Sequence, residues 1–221
     1  MTHESDVQPE SEGGHGTRVP EPTIERLSAY LQCIRALRAG GLPTASSAEI
    51  AKNTGINAAQ LRKDLSYFGE FGRPGLGYDL QDLEGQLSRI MGLDRERDVL
   101  LVGAGNLGRA LTSYTGFARR GFRIVAAFDT DPEKVGVPIG DCPVYHLSEL
   151  ARMGQDLGAD VGVVTVPAPF AQAAVDALVA AGVRAILNFA PTSIEAPPGV
   201  ALRNVDLTSQ MEVLSYYLRS H

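Results

Sequence analysis

Val99-Leu-Leu-Val-Gly103-Ala-Gly105-Asn-Leu-Gly108 is the stretch whose reading decides the fold. Four consecutive apolar residues predict a strand buried on both faces. Three glycines at this spacing allow a tight turn, close approach of the backbone to a pyrophosphate, and close packing of the next helix on the sheet. That helix is expected from about Asn106 to Arg120, with its free N–H groups aimed at the anion. A second apolar strand, Phe122 to Phe128, ends in Asp129. This lies about 20 residues past the last glycine, where a dinucleotide site needs a carboxylate for the adenosine ribose hydroxyls. A glycine-rich turn alone is a weak sign; the turn and the carboxylate together predict dinucleotide binding.

Downstream, the pattern runs through Val144 to His146, a helix from Ser148 to Met153, a strand from Asp160 to Val166, a helix from Phe170 to Ala181 and a strand from Arg184 to Phe189. This alternation predicts an α/β domain with a doubly wound parallel sheet, whose ligands lie outside the carboxyl ends of the strands. There the sequence places Thr165-Val-Pro167 and Asn188-Phe-Ala190-Pro191. These segments are apolar and stiff enough to flank a flat ring, and read equally well as two ordinary proline-terminated strands. A short strand around Ala201 to Asn204 leads into Asp206 to Leu218, a helix with Asp206 as its cap and Leu207, Met211, Leu214 and Leu218 on one stripe. Such a helix either covers its own sheet or reaches a second subunit.

Upstream, the composition changes. The chain has a net charge of -6, which by itself argues against nucleic acid. Yet between Arg18 and Tyr78 eight basic residues (Arg18, Arg26, Arg35, Arg38, Lys52, Arg62, Lys63, Arg73) face five acids (Glu21, Glu25, Glu49, Asp64, Glu70). The basic segment starts with Ile24, Leu27, Leu31, Ile34 and Leu37 at helical spacing, ended by Gly40-Gly41. Ser46 or Ser47 then caps a short helix from Ala48 to Asn53, Gly55 makes a turn, and Asn57 caps a third helix from Ala58 to about Phe68. This is the helix-turn-helix order. Gln60, Arg62, Lys63, Ser66 and Tyr67 are interleaved with Leu61 and Leu65, as a recognition helix requires. Gly69 to Tyr78 reads as a short hairpin, a wing able to lay Arg73 into a minor groove. A helix from Leu80 to Met91 and a charged linker from Gly92 to Arg97 complete the segment.

A chain of 221 residues with 44% hydrophobic content has room for two domains. Cys33 and Cys142 are isolated thiols, which predicts a reducing compartment, no disulfide framework and no metal site. No apolar run approaches a membrane span. The polar residues 1–17 lack the apolar core of an export signal. The expectation is therefore a soluble, cytoplasmic protein with a disordered tail over 1–17.

Arg62-Lys-Asp-Leu-Ser-Tyr-Phe-Gly69, Gly75-Leu-Gly-Tyr78, Gly103 to Gly108, Phe128-Asp-Thr-Asp-Pro-Glu-Lys-Val-Gly136 and Asn188-Phe-Ala-Pro191 occur in one order and spacing. Together they resemble the redox-sensing transcriptional repressor Rex family, from about Val19 to the last helix. The resemblance implies a winged-helix DNA-binding domain over 18–93, a Rossmann NAD(H)-binding domain over 94–205, and a C-terminal helix over 206–221 exchanged within a homodimer. It further implies repression through an inverted-repeat operator in double-stranded DNA, released when NADH binds. By position, Ser47, Arg62, Lys63, Ser66, Tyr67 and Arg73 would face DNA. Gly103, Ala104, Gly105, Asn106, Leu107, Gly108, Asp129, Lys134, Thr165, Pro167, Asn188 and Ala190 would hold NADH or NAD+. Tyr114 and Asp206 stand where the family couples the nicotinamide site to DNA binding. Two positions depart from the family: Pro74 directly precedes the Gly-Leu-Gly-Tyr where a basic residue is common, and Gln32 stands where some members carry an arginine.

Two other readings compete. An NAD-dependent dehydrogenase with a helical N-terminal extension needs a proton-transfer group beside the nicotinamide. His3 and His15 lie in the tail, His221 is the last residue and His146 follows the third strand of the sheet, so no catalytic residue is expected. A CoA-binding interaction module is the second rival, against which the ribose carboxylate argues.

Overall fold

The structure is a computed structural model and describes residues 19–73 and 75–219. The tail expected over 1–17 lies outside the described residues. Two compact units divide after Asp94.

The first unit begins with α1 (Glu21–Ala39), followed by β1 (Thr44–Ala45), α2 (Ser47–Thr54), α3 (Ala58–Ser66), β2 (Tyr78–Asp79) and α4 (Leu80–Ile90). Of the two candidate caps, Ser46 begins α2: its side chain accepts the Glu49 N–H while the Glu49 carboxylate accepts the Ser46 N–H, a capping box. Asn57 and Asp79 cap α3 and α4 through the N–H groups of Gln60 and Asp82. Leu27, Leu31 and Ile34 of α1 meet Ile50, Leu61, Leu65, Leu80, Leu83 and Leu87 in one core. The expected α1 stripe is displaced at its start. Ile24 is exposed, and Tyr30 is fully buried in its place. The cause is Asp64, which is completely buried on α3 and draws polar groups of α1 inward. Its carboxylate accepts hydrogen bonds from Arg26 Nε (2.6 Å) and Nη2 (2.8 Å), the Tyr30 hydroxyl (2.8 Å), Thr23 Oγ1 (3.2 Å) and Gln60 Nε2 (2.8 Å).

The wing differs from a simple hairpin over Gly69 to Tyr78. Arg73 and Gly77 form one antiparallel bridge, and β2 pairs instead with β1, Thr44 opposite Asp79 and Ala45 opposite Tyr78. The connection before α2 thus supplies the strand that braces the wing.

In the second unit β3 (Arg97–Val102), β4 (Phe122–Asp129), β5 (Val144–His146), β6 (Val161–Val164), β7 (Ala185–Asn188) and β8 (Ala201–Asn204) form a parallel sheet in the order β5-β4-β3-β6-β7-β8. This is the doubly wound dinucleotide order. Along β3, Leu100 and Val102 enter one core with Phe128, Val164 and Leu178, while Val99 and Leu101 enter the other with Ala127, Val144 and Val163. Period-two alternation thus feeds both faces. The helices are α5 (Asn106–Thr112), α6 (Thr115–Ala118), α7 (Leu150–Leu157), α8 (Ala171–Ala180) and α9 (Leu207–Arg219). The single helix expected from Asn106 to Arg120 is broken. Thr112 Oγ1 and Ser113 Oγ both bond back to the Arg109 carbonyl (2.8 and 3.2 Å), a competition that bends or ends helices, and Tyr114 is extended.

Candidate functional site

β3 and β6 are neighbours whose connections leave in opposite directions, and a cleft of about 690 Å³ opens at their carboxyl ends. Its floor is the glycine turn. Gly103 has φ +107, and a β-carbon there would lie 2.9 Å from Thr165. At Gly108 a β-carbon would lie 2.1 Å from the Gly103 carbonyl oxygen, so only glycine lets α5 sit this close to β3. Gly105 is different: a β-carbon there would meet nothing within 4 Å. Its open side is the concavity an approaching pyrophosphate needs. Thr165 Oγ1 holds the turn by donating to the carbonyls of Gly103 (2.7 Å) and Val102 (3.2 Å).

Asp129 ends β4 at the cleft wall. Its Oδ2 accepts the Ala104 N–H (2.8 Å) and its Oδ1 the Asp131 N–H (2.9 Å), with Lys134 Nζ 3.3 Å from Oδ2. Burial pushes this carboxyl upward, but the two backbone N–H groups and the ammonium outweigh it and hold the carboxyl below its ordinary value. Lys134, shared with Asp131 at 3.3 Å, is raised despite its own desolvation.

Of the predicted nucleotide residues, Gly103, Gly105, Leu107, Asp129, Lys134, Thr165 and Pro167 line the cleft. Ala104 and Gly108 are buried beneath the turn, and Asn106 is exposed at the start of α5. Asn188 and Ala190 are not among the lining residues. The buried Asn188 side chain donates to the Ala190 carbonyl (3.0 Å) and Asn204 Oδ1 (2.9 Å) and accepts the Ala190 N–H (2.9 Å), tying β7 to β8, while Phe189 between them faces the cleft. Sequence reasoning missed Leu147 and Phe170. Phe170, 62% exposed at the start of α8, completes the apolar wall with Val166, Pro167 and Phe189; a lone exposed Phe after Pro-Ala-Pro was the one available signal. His146 lies outside the lining and pairs with Ser148 Oγ. Tyr114 sits at the α5–α6 break, and Asp206 caps α9 through the N–H groups of Thr208 and Ser209.

In the first unit the basic excess sorts into two groups. Arg26 is paired with Asp64, and Arg35 and Arg38 share Glu84. Lys52, Arg62, Lys63 and Arg73 are exposed and make no salt bridge among the described residues. Arg62 is pre-set by a 2.8 Å bond to Ser47 Oγ, while Ser66 bonds back to the Lys63 carbonyl and Tyr67 ends α3 half-buried. Gln60, expected among the outward polar groups, is turned to Asp64 instead. Burial raises both the Cys33 and Cys142 thiols, away from the thiolate. Among the described residues no cluster of three metal-ligating side chains occurs, and no helix is long and apolar enough to cross a membrane.

Two family models match the chain: "Putative DNA-binding protein N-terminus" over 18–66 and "CoA binding domain" over 94–192. The chain is similar to the redox-sensing transcriptional repressor Rex of Streptomyces coelicolor, at 48% identity across 90% of this chain and 77% of that one. It is similar as well to the Rex of Desulfitobacterium hafniense, at 46% identity across 90% and 95%. Among solved structures, RSP in complex with beta-NAD+ and operator DNA superposes with a TM-score of 0.88 at 35% identity, over 92% of this chain and 94% of the other. RSP in complex with beta-NADH gives 0.83 at 34%, over 92% and 96%. On this identity and coverage, the chain belongs to the redox-sensing transcriptional repressor Rex family.

Proposed function

We propose that this protein is a cytoplasmic repressor that reads the NADH/NAD+ balance, binding an inverted-repeat operator as a homodimer and leaving it when NADH binds. The observation that carries the reading is the joining, in one chain, of a cleft built for an adenine dinucleotide to a helix-turn-helix with exposed cations that make no salt bridge among the described residues. Residues 18–93 hold the operator, 94–205 the nucleotide and 206–221 the second subunit. Arg62 and Lys63 at the exposed face of α3 reach base edges and phosphates, the Ser47 hydroxyl holds the Arg62 guanidinium, Ser66 and Tyr67 flank them, and Arg73 presents the wing's charge.

The glycine turn fits NAD(H): Gly105 leaves room for a pyrophosphate, and Asp129 offers acceptors to ribose hydroxyls. Its charge repels a phosphorylated ribose, which argues against NADP(H) and CoA alike, whatever the breadth of the CoA-binding family model. NAD(H), when bound, supplies the signal as a charge difference, since the oxidised nicotinamide is cationic and the reduced ring neutral. Val166, Pro167, Phe170 and Phe189 give that end of the cleft an apolar wall, and a ring packed against it is shielded from water, which disfavours the cation. The coupling is reciprocal: whatever operator affinity NADH removes, operator removes in NADH affinity.

The second copy is supported by α9. Leu207, Met211, Leu214 and Leu218 are exposed, Leu218 to 81%, and α9 buries none of its residues in this chain. Its apolar stripe is therefore not spent on its own sheet, and a partner subunit is the occupant this reading supplies.

Gel-shift titration of the chain on an inverted-repeat operator tests the reading. NADH is expected to release the DNA, with NADPH and CoA ineffective at the same concentration; release by CoA and not NADH overturns it. A chain ending at Val205 is expected to sediment as a monomer and to lose operator binding. A stable, NADH-responsive dimer without α9 would remove that helix from the assembly.

A further inference from the structure

We propose that Gly116 is a positioning residue for the redox response: lacking a side chain, it provides the resting seat of the Tyr114 ring, from which that ring must depart to couple nucleotide binding to operator release. The inference rests on the reading of Tyr114 as a coupling residue. The Tyr114 backbone is pinned on both sides, its N–H donating to the Leu111 carbonyl (3.1 Å) and its carbonyl accepting the Phe117 N–H (3.2 Å). Only the side chain is left to move. Tyr114 is 58% exposed as a residue, and its ring lies across Gly116, where a β-carbon would fall 2.3 Å from Cε1 and Cζ and 2.6 Å from the hydroxyl oxygen. Its other contact is edge-to-face with Phe117, centroids 5.3 Å apart. The hydroxyl has no hydrogen-bond partner among the described residues, so it is available to a group elsewhere once the ring leaves.

Gly116 has no positive φ and sits inside α6, where backbone propensity favours alanine. The conformation does not require glycine; the ring does. Gly116→Ala collides with the far end of a rotatable side chain rather than with backbone, so the tyrosine swings out and the fold keeps its place. The seat and the engaged position compete, and abolishing the seat favours engagement.

The test compares Gly116→Ala, Tyr114→Ala and the double variant in full-length protein, by NADH titration of operator release, thermal unfolding, and NMR of ring-labelled tyrosine. Gly116→Ala is expected to move the Tyr114 ring resonance, to leave the melting temperature unchanged or higher, and to lower the NADH concentration for half-release by about fivefold or more. In the Tyr114→Ala background the same substitution is expected to do nothing. An unmoved ring resonance overturns the seat. A moved ring with an unchanged midpoint overturns the coupling role of Tyr114, and the inference with it. A shift to higher NADH, or an equal shift in both backgrounds, overturns it as well.

Discussion

Asp64 and Asp129 are both carboxylates held below their ordinary pKa, one in each unit, and they serve opposite ends. Asp64 is fully buried and its oxygens are taken by four side chains converging from α1 and α3. Asp129 keeps 12% of its side chain exposed at a cleft wall and is held by two loop N–H groups and a lysine shared with Asp131. A carboxylate surrounded by side chains from packed elements fixes the angle between those elements. One held by backbone donors beside a cavity stays charged, shaped and open to exchange a partner for a ligand. Charge alone does not tell a structural acid from a binding acid; the source of its donors does.

The largest effect is expected where that distinction is broken at Asp64. Asp64→Ala leaves Arg26 without its partner and should destabilise the first unit by ~3–5 kcal/mol, read by thermal unfolding and loss of operator binding, with NADH binding by the second unit retained. Replacing both partners, Arg26→Met with Asp64→Leu, should cost far less, because no charge is stranded. The pH dependence follows the same carboxyl. Burial raises it, but the bonds from Arg26, Gln60 and Tyr30 win and lower it from 3.8 to about 2. Its folded value lies below its unfolded one, so its stabilisation is complete above about pH 4 and disappears as pH falls toward 2. Acid unfolding of Asp64→Asn should lack that segment of the curve.

The contrast sharpens within the glycine turn. Gly108→Ala drives a β-carbon onto the Gly103 carbonyl and should cost ~1–3 kcal/mol of stability. Gly105→Ala places its methyl in open space, so the melting temperature should be unchanged while NADH binding weakens about 100-fold, or ~2.7 kcal/mol. Calorimetric titration beside thermal unfolding separates the two. Equal stability losses would show that the turn is rigid throughout rather than open at one residue.

How much of this was legible in sequence depends on the range of the interaction. The strand, the turn, Asp129 and the helix-turn-helix order all follow from local spacing, and the structure places them as read. The break at Ser113–Tyr114 was hidden because Thr112 and Ser113 bond back to Arg109, an option that helical periodicity does not register. Ile24 was read as core and Tyr30 was not, since nothing in the α1 pattern announces an acid on α3. Leu147 and Phe170 reach the cleft from the connections after β5 and β6, and only the assembled sheet brings them together. Asn188 lies at the right strand end, yet its amide is consumed in bracing β8.

The smallest effect is expected at Asp129, through selectivity more than affinity. Asp129→Asn keeps an acceptor for the buried Ala104 N–H while removing the charge, so the turn should hold and the melting temperature should change little. NADH loses one charge-assisted partner for its ribose. NADPH loses a repulsion, and Lys134, released from one of its two carboxylate partners at 3.3 Å, becomes a counter-ion for the extra phosphate. The two changes act in the same direction on the ratio, so the preference for NADH over NADPH should narrow by about tenfold, or ~1.4 kcal/mol, in operator-release titrations. Because the carboxyl of Asp129 is held below its ordinary value, it is ionised throughout the neutral range, and any change in the natural protein's preference between pH 6 and pH 8 should follow the second ionisation of the NADPH ribose phosphate rather than Asp129. A preference that survives Asp129→Asn intact would assign the discrimination to another part of the cleft and would leave Asp129 with the role of Asp64, a brace for its own loop.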